Sequence, residues 1–213
     1  MWHDLSQPFG PAMDHSTALA PPEFRTERTV AEDGARVTHF DAPTHAGTHV
    51  DAPAHVLDGG ATLDDLPLDA FAGEAVVLDV PCESARELGP DDLRAGGEVR
   101  GGDVVLVHTG WGEKQGTEAY YEYPWLSASA AEWLVERGVK LLGTDTLSPD
   151  EPRSLRSDGG ESYPVHRRLL EAGVPIAENL RLSAVAGRRV EVVGFPLRIE
   201  GGDGAPTRFV ART

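Results

Sequence analysis

Short apolar runs rich in β-branched residues, broken by glycine, proline and charged positions, set the rhythm of this chain. The runs at residues 75–80, 104–108, 139–142 and 190–193 are nearly continuous in Val, Leu and Ala and predict strands. Between some of them the apolar period lengthens to that of a helix. Ser129 followed by Glu132 has the form of a capping box, and Gly138 is placed to stop that helix after Arg137. Residues 164–172 predict another helix, with Pro164 near its start and Gly173 just past its end. A last β section is expected through residues 197–199 and 208–210. Strands first, then alternating helix and strand, then a final β section predict one α/β or α+β domain over residues 1–213, not an all-β sandwich. The sequence has no internal repeat, low-complexity tract or linker. Gly96-Gly97, Gly101-Gly102, Gly159-Gly160 and the 201–204 stretch read as surface turns. None lies between a strand and a helix with phosphate-binding spacing, which argues against a nucleotide site.

Composition narrows the function classes. With 213 residues and 40% hydrophobic content, the chain can bury a full core. A formal net charge of -16 disfavours nucleic acid and anionic membrane surfaces as partners and suits an enzyme acting on a small molecule. Cys82 is the single cysteine, so no internal disulfide framework exists and a reducing compartment is permitted. Residues 1–11 lack a basic stretch followed by an apolar run, and no apolar segment approaches the roughly 20 residues of a membrane helix. A cytoplasmic protein is expected.

The chemistry concentrates at residues 45–55, where His45, His49, Asp51 and His55 fall within eleven positions. Neutral imidazoles and a carboxylate are ligands that zinc and manganese take readily. Taken singly, each histidine could be an ordinary hydrogen-bonded residue; clustered, they predict a metal site. Glycine, threonine, valine and proline between them disfavour a continuous helix, so the segment is expected to be a strand that bends into a turn. On its straight part His49 and Asp51 point to one face, about 6.6–7 Å apart. His45 would lie about 13 Å from His49 in a fully extended chain, so convergence needs a bend, which Gly47 permits. His108, His166 and the carboxylates of the second half are further candidates. His39 and Asp41 share the strand parity of the motif and could orient its imidazoles. Trp111, Tyr120, Tyr121, Tyr123 and Trp125 form an aromatic cluster suited to core, oligomer interface or substrate-pocket wall.

The run from His45 to His55 resembles the H-x-G-T-H-x-D-x-P-x-H motif of the metal-dependent cyclase family, which includes bacterial kynurenine formamidases and is related to isatin hydrolases. Asp4-Leu5-Ser6, His108-Thr109-Gly110-Trp111, Gly143-Thr144-Asp145-Thr146, Pro175-Ile176-Ala177-Glu178-Asn179-Leu180 and Gly202-Asp203-Gly204-Ala205-Pro206 resemble further pieces of that family, in its order. The resemblance implies a β-barrel-like mixed sheet flanked by helices, usually in a homodimer or larger assembly. It implies that His45, His49 and Asp51 bind a first divalent ion, zinc or manganese. His166 would bind a second, Asp51 and Glu178 would bridge, and His55 would donate and accept the proton. The implied activity is hydrolysis of a carbon–nitrogen bond in a small amide, formamide or lactam by a metal-activated water, with a place in tryptophan catabolism among the options. A cyclase or dehydratase of specialised metabolism, and a metal-binding protein without catalysis, are the alternatives. His15, Trp111 and Tyr121 are candidate pocket residues. In one respect the chain departs from the formamidase pattern: residues 11–17 contain no tryptophan where that pattern places one, which points away from N-formylkynurenine as the preferred substrate.

Overall fold

The structure, a computed structural model, describes residues 1–156 and 162–213; the Gly159-Gly160 turn expected above lies outside the described residues. Nine strands form one mixed sheet in the order Trp2–Asp4, Val210–Arg212, Arg189–Val193, Ala72–Asp79, Val104–His108, Leu141–Thr144, Ile176–Glu178, His49–Asp51 and Gly204–Pro206. The four central strands, from Ala72–Asp79 to Ile176–Glu178, are parallel, and the flanking pairs are antiparallel. Parallel strands are covered on both faces, and that is why their sequences read as unbroken apolar runs. Val104 and Leu106 enter one core with Ala75, Val77, Leu141 and Phe209. Val105 and Val107 enter the other with Val76, Leu78, Leu142, Leu134 and Leu169. The first core lies inside the curl of the sheet, and the second lies under the helices.

The curl follows from the last strands. Gly204–Pro206 pairs with His49–Asp51 at one margin, and Val210–Arg212, a few residues on, pairs with Arg189–Val193 and Trp2–Asp4 at the other. One continuous segment thus ties both margins into a barrel-like shape. The expected helices are present as Ala128–Arg137 and Pro164–Glu171, and Gly138 closes the first in the left-handed conformation at φ 69°. Its N-cap, however, is Ser127 rather than Ser129: the Ser127 hydroxyl accepts from the Ala130 amide at 3.0 Å, so the capping-box reading was two residues late. Residues 197–199 form no strand; only Pro196 bridges to Thr207. The final β pairing falls on Val210–Arg212, because the chain crosses between the two margins of the sheet before it. Among the described residues no helix is long and apolar enough to cross a membrane.

Candidate metal centre

The motif strand His49–Asp51 places Val50 in the inner core and turns His49 and Asp51 to the opposite face, as strand alternation requires. Ile176–Glu178 runs antiparallel beside it with Glu178 opposite His49, so Glu178 joins the same face as Ile176. The Pro164–Glu171 helix packs over that face and contributes His166 from its first turn. His45 arrives by the bend expected at Gly47, whose φ is +64°. A Cβ there would lie 3.1 Å from Met13 Sδ and 3.2 Å from Phe9 Cδ2, so glycine answers both conformation and space. A 3-10 turn, Pro53–His55, then brings His55 back over the strand. Among the described residues, the ligand atoms of His45, His49 and Asp51, of Asp51, His166 and Glu178, and of His45, His55 and Asp203 form groups lying within 4.8 Å of one another.

Neighbouring groups fix which atom of each side chain faces the centre. The Gly47 carbonyl accepts His49 Nδ1–H at 2.8 Å and Asn179 Nδ2–H at 3.1 Å, turning His49 Nε2 inward. There it lies 3.2 Å from Asp51 Oδ1 and 3.3 Å from Glu178 Oε2. His166 Nδ1–H donates to Asp150 Oδ2 at 2.6 Å, which leaves His166 Nε2 3.4 Å from Asp51 Oδ2 and 3.3 Å from Glu178 Oε1. His45 Nδ1 is 2.6 Å from Asp51 Oδ1, and its Nε2 is 2.9 Å from Asp203 Oδ2. The buried atoms His49 Nε2, Asp51 Oδ2 and Glu178 Oε1 have no hydrogen-bond partner, a costly state for polar groups removed from water. Burial by itself would keep the imidazoles neutral. Asp51 and Glu178 overcome it, pushing His49 up to about 10, while Asp150, Asp51 and Glu178 hold His166 well above its usual range. Inward-facing donor atoms, orphaned acceptors and a strong demand for positive charge fit a divalent cation.

His55 sits apart from this buried set. Its ring packs 3.9 Å from that of His45 and 5.6 Å from that of His166, and its side chain keeps 27% of its surface exposed. Burial lowers its pKa, so the ring is neutral near pH 7. It borders a cavity of about 120 Å³ together with Tyr123, Leu147, Tyr163, His166 and Glu178. That volume lies below the roughly 300–1,000 Å³ of typical ligand pockets, which suits a small molecule.

The structure thus brings His45, His49, Asp51, His55, His166 and Glu178 into one site. It places other candidates elsewhere. His39 and Asp41 belong to a separate two-stranded sheet, where His39 approaches Glu27 at 3.5 Å; strand parity cannot carry them to the centre across the intervening turn. His108 faces Asp79 at 2.8 Å. Trp111 is core, packed with Tyr120 and Tyr123, and Tyr121 donates to Asp14 at 3.2 Å. Neither these two nor His15 lines the cavity, whereas Tyr123 and Ser16 do. Sequence reading missed Asp150, and it placed Asp203 and Asn179 in family-like pieces without giving either a role. Asp150 stands before a proline-initiated helix and caps it, its carboxylate accepting the Val165 amide at 2.9 Å and the His166 amide at 3.1 Å. Its separation of 14 residues from Pro164, with other acidic residues between, left no local sign of this role in the sequence.

Comparison with known proteins agrees with this architecture. Kynurenine formamidase from Salinibacter ruber is 34% identical over 217 residues, covering 98% of this chain and 96% of that protein. Isatin hydrolase A from Ralstonia solanacearum superposes with a TM-score of 0.87 at 26% identity, over 99% of this chain and 91% of its own. A predicted metal-dependent hydrolase from Bacillus stearothermophilus gives a TM-score of 0.79 at 28% identity, over 99% and 97% of the two chains. The pattern that defines the Cyclase family matches residues 3–151, and with a full-length relative at that identity this chain belongs to the Cyclase family.

Proposed function

We propose that this protein is a metal-dependent hydrolase of the carbon–nitrogen bond in a small amide, formamide or lactam. The observation that carries the reading is the way two carboxylates divide their oxygens. Asp51 and Glu178 each turn one oxygen toward His49 and the other toward His166. Such a pair suits two divalent cations, zinc or manganese, which His45, His49, Asp51, His166 and Glu178 would hold. The kinship with a kynurenine formamidase and an isatin hydrolase supports the reaction class.

When bound, divalent ions lower the pKa of a water toward about 7 and polarise a carbonyl. The chain supplies the rest. Asp150 and the Gly47 carbonyl hold His166 and His49 in the tautomers that present Nε2. Tyr123 and Leu147 give the cavity an apolar wall. His55, neutral and facing the cavity, accepts the proton of the attacking water and returns it to the leaving nitrogen; an imidazole does both near pH 7. The test is a substrate panel of formanilides, lactams and esters with metal-loaded protein. Formamide or lactam hydrolysis that disappears with chelation is expected. Cyclisation or dehydration without any amide hydrolysis would overturn the reading.

We also propose a homodimer. Phe9, Phe24 and Phe40 interlock with ring centroids 5.4–5.9 Å apart on and beside the separate hairpin, and Phe9 and Phe40 stay 37% and 49% exposed. Exposed aromatic patches of this kind mark interfaces. Sedimentation equilibrium showing a monomer at micromolar concentration would refute it.

A further inference from the structure

Apart from the candidate ligands, the charged side chains lining the cavity among the described residues are Arg153 and Arg156. In a chain with 35 acidic and 19 basic residues, two guanidinium groups on the lining of one small cavity are a local concentration of positive charge. Arg156 is held in place: its Nε–H donates to the Glu151 carbonyl at 2.9 Å, and its Cζ sits 4.7 Å from the centre of the Tyr163 ring. That ring in turn meets the His166 imidazole edge-on with centroids 5.7 Å apart, so the Tyr163 ring is the one layer between the guanidinium and a candidate ligand. Tyr163 reaches this position with φ at +56°, a conformation unfavourable for a bulky side chain. Strain of that kind persists where surrounding contacts over-determine it, and here it sets the platform that carries Arg156. Arg153, exposed at the same rim, has no ion-pair or hydrogen-bond partner among the described residues.

We propose that Arg153 and Arg156 form an anion-binding subsite, and that the natural substrate carries a carboxylate on the part of the molecule remote from the bond being cleaved. Planar guanidinium groups match a carboxylate with two parallel N–H···O bonds, and these two stand on the same cavity as the candidate metal centre. The inference rests on the hydrolase reading above and adds to it the chemical class of the substrate.

Formanilide and 4-formamidobenzoate share the scissile formamide and differ by one charge. The ratio of their kcat/KM values, measured with metal-loaded protein, should favour the charged substrate. In Arg153→Gln, Arg156→Met and the double variant that ratio should fall roughly ten- to hundredfold, the range of a charge-assisted pair. It should also fall as ionic strength rises. A carboxylate held by the ions instead would give a ratio unchanged in all three variants and overturn the proposal while leaving the hydrolase reading intact. If neither formamide turns over, the hydrolase reading fails, and calorimetric titration with benzenesulfonate, a poor metal ligand, still decides the subsite. Binding weakened at least tenfold in Arg153→Gln, an exposed position where folding is not at stake, supports it; equal binding by wild type and variant overturns it.

Discussion

Asp150→Asn isolates the role of a residue that touches no substrate. The Asp150 carboxylate is fully buried and accepts three N–H groups: Val165 at 2.9 Å on Oδ1, and the His166 amide at 3.1 Å and His166 Nδ1–H at 2.6 Å on Oδ2. A carboxamide of the same shape has one accepting oxygen, so in either orientation its NH2 faces at least one of these donors. Each buried donor left unsatisfied costs about 1–3 kcal/mol, a loss that a fold of about 5–15 kcal/mol survives. The imidazole can relieve the clash by moving its proton to Nε2, but that atom faces Asp51 and Glu178 at 3.4 and 3.3 Å, where a ligand must offer a lone pair. Metal affinity should therefore fall by roughly 10–100-fold, the usual cost of losing the partner of a ligating histidine. Titration against a competing chelator, with metal content counted after dialysis and folding checked by circular dichroism, measures this. A folded Asp150→Asn protein that binds zinc and manganese as tightly as wild type would refute the reasoning.

Four further outcomes are expected. His55→Ala should keep its metal while kcat drops ~10²–10⁴, whereas His49→Ala loses metal and activity together; elemental analysis beside steady-state kinetics separates them, and metal loss from the His55 variant would make it a ligand. Gly47→Ala, forced to φ +64° against Met13, should lose about 1–2 kcal/mol in chemical denaturation, and a loss under about 0.5 kcal/mol would show that the bend is not strained. Chelation should lower Tm and zinc or manganese should restore it, since an ion at 100 times its Kd adds about 2.7 kcal/mol; a Tm indifferent to both would count against a metal in the native protein. Residues 11–17 offer no indole, which removes roughly 0.5–1.5 kcal/mol of stacking, up to about tenfold in affinity, so kcat/KM for N-formylkynurenine should stay below about 10⁵ M⁻¹s⁻¹.

How far the sequence could be read depended on the range of each interaction. Residues 45–55 were legible because spacing, a glycine bend and strand alternation are local, and the structure folds them as that logic requires. The central strands were legible because burial on both faces leaves an apolar run. His166 stands in the sequence only as one of several candidates from the second half, and Glu178 as one carboxylate among many; resemblance alone gives them their roles, since sheet pairing and helix docking bring them to the motif. Asp150 is not marked at all, and Asp203 only as part of a family-like piece without a role, because they act on imidazoles 16 and 158 residues away. Residues 197–199 misled because an apolar run cannot announce whether an edge is free to pair with it. The pairing of Asp145 with Thr109 at 2.6 Å and Gly110 at 2.9 Å explains why two distant pieces of the family pattern occur together: one carboxylate closes the turn formed by the other.

The tie between the sheet margins made by residues 204–212 bears on how the protein comes into being. The motif strand lies near residue 50, yet its outer neighbour, Gly204–Pro206, and the Asp203 that grips His45 emerge from the ribosome some 150 residues later. Contacts of such sequence separation are slow to form, because the loop must close before any pairing rewards it. A nascent chain therefore displays His45, His49 and Asp51 to the cell while their enclosure is still unmade. On the metal reading proposed above, an ion arriving at that stage would find these side chains without Asp203 beside them, and the site would be complete only when the C-terminal segment has crossed the sheet.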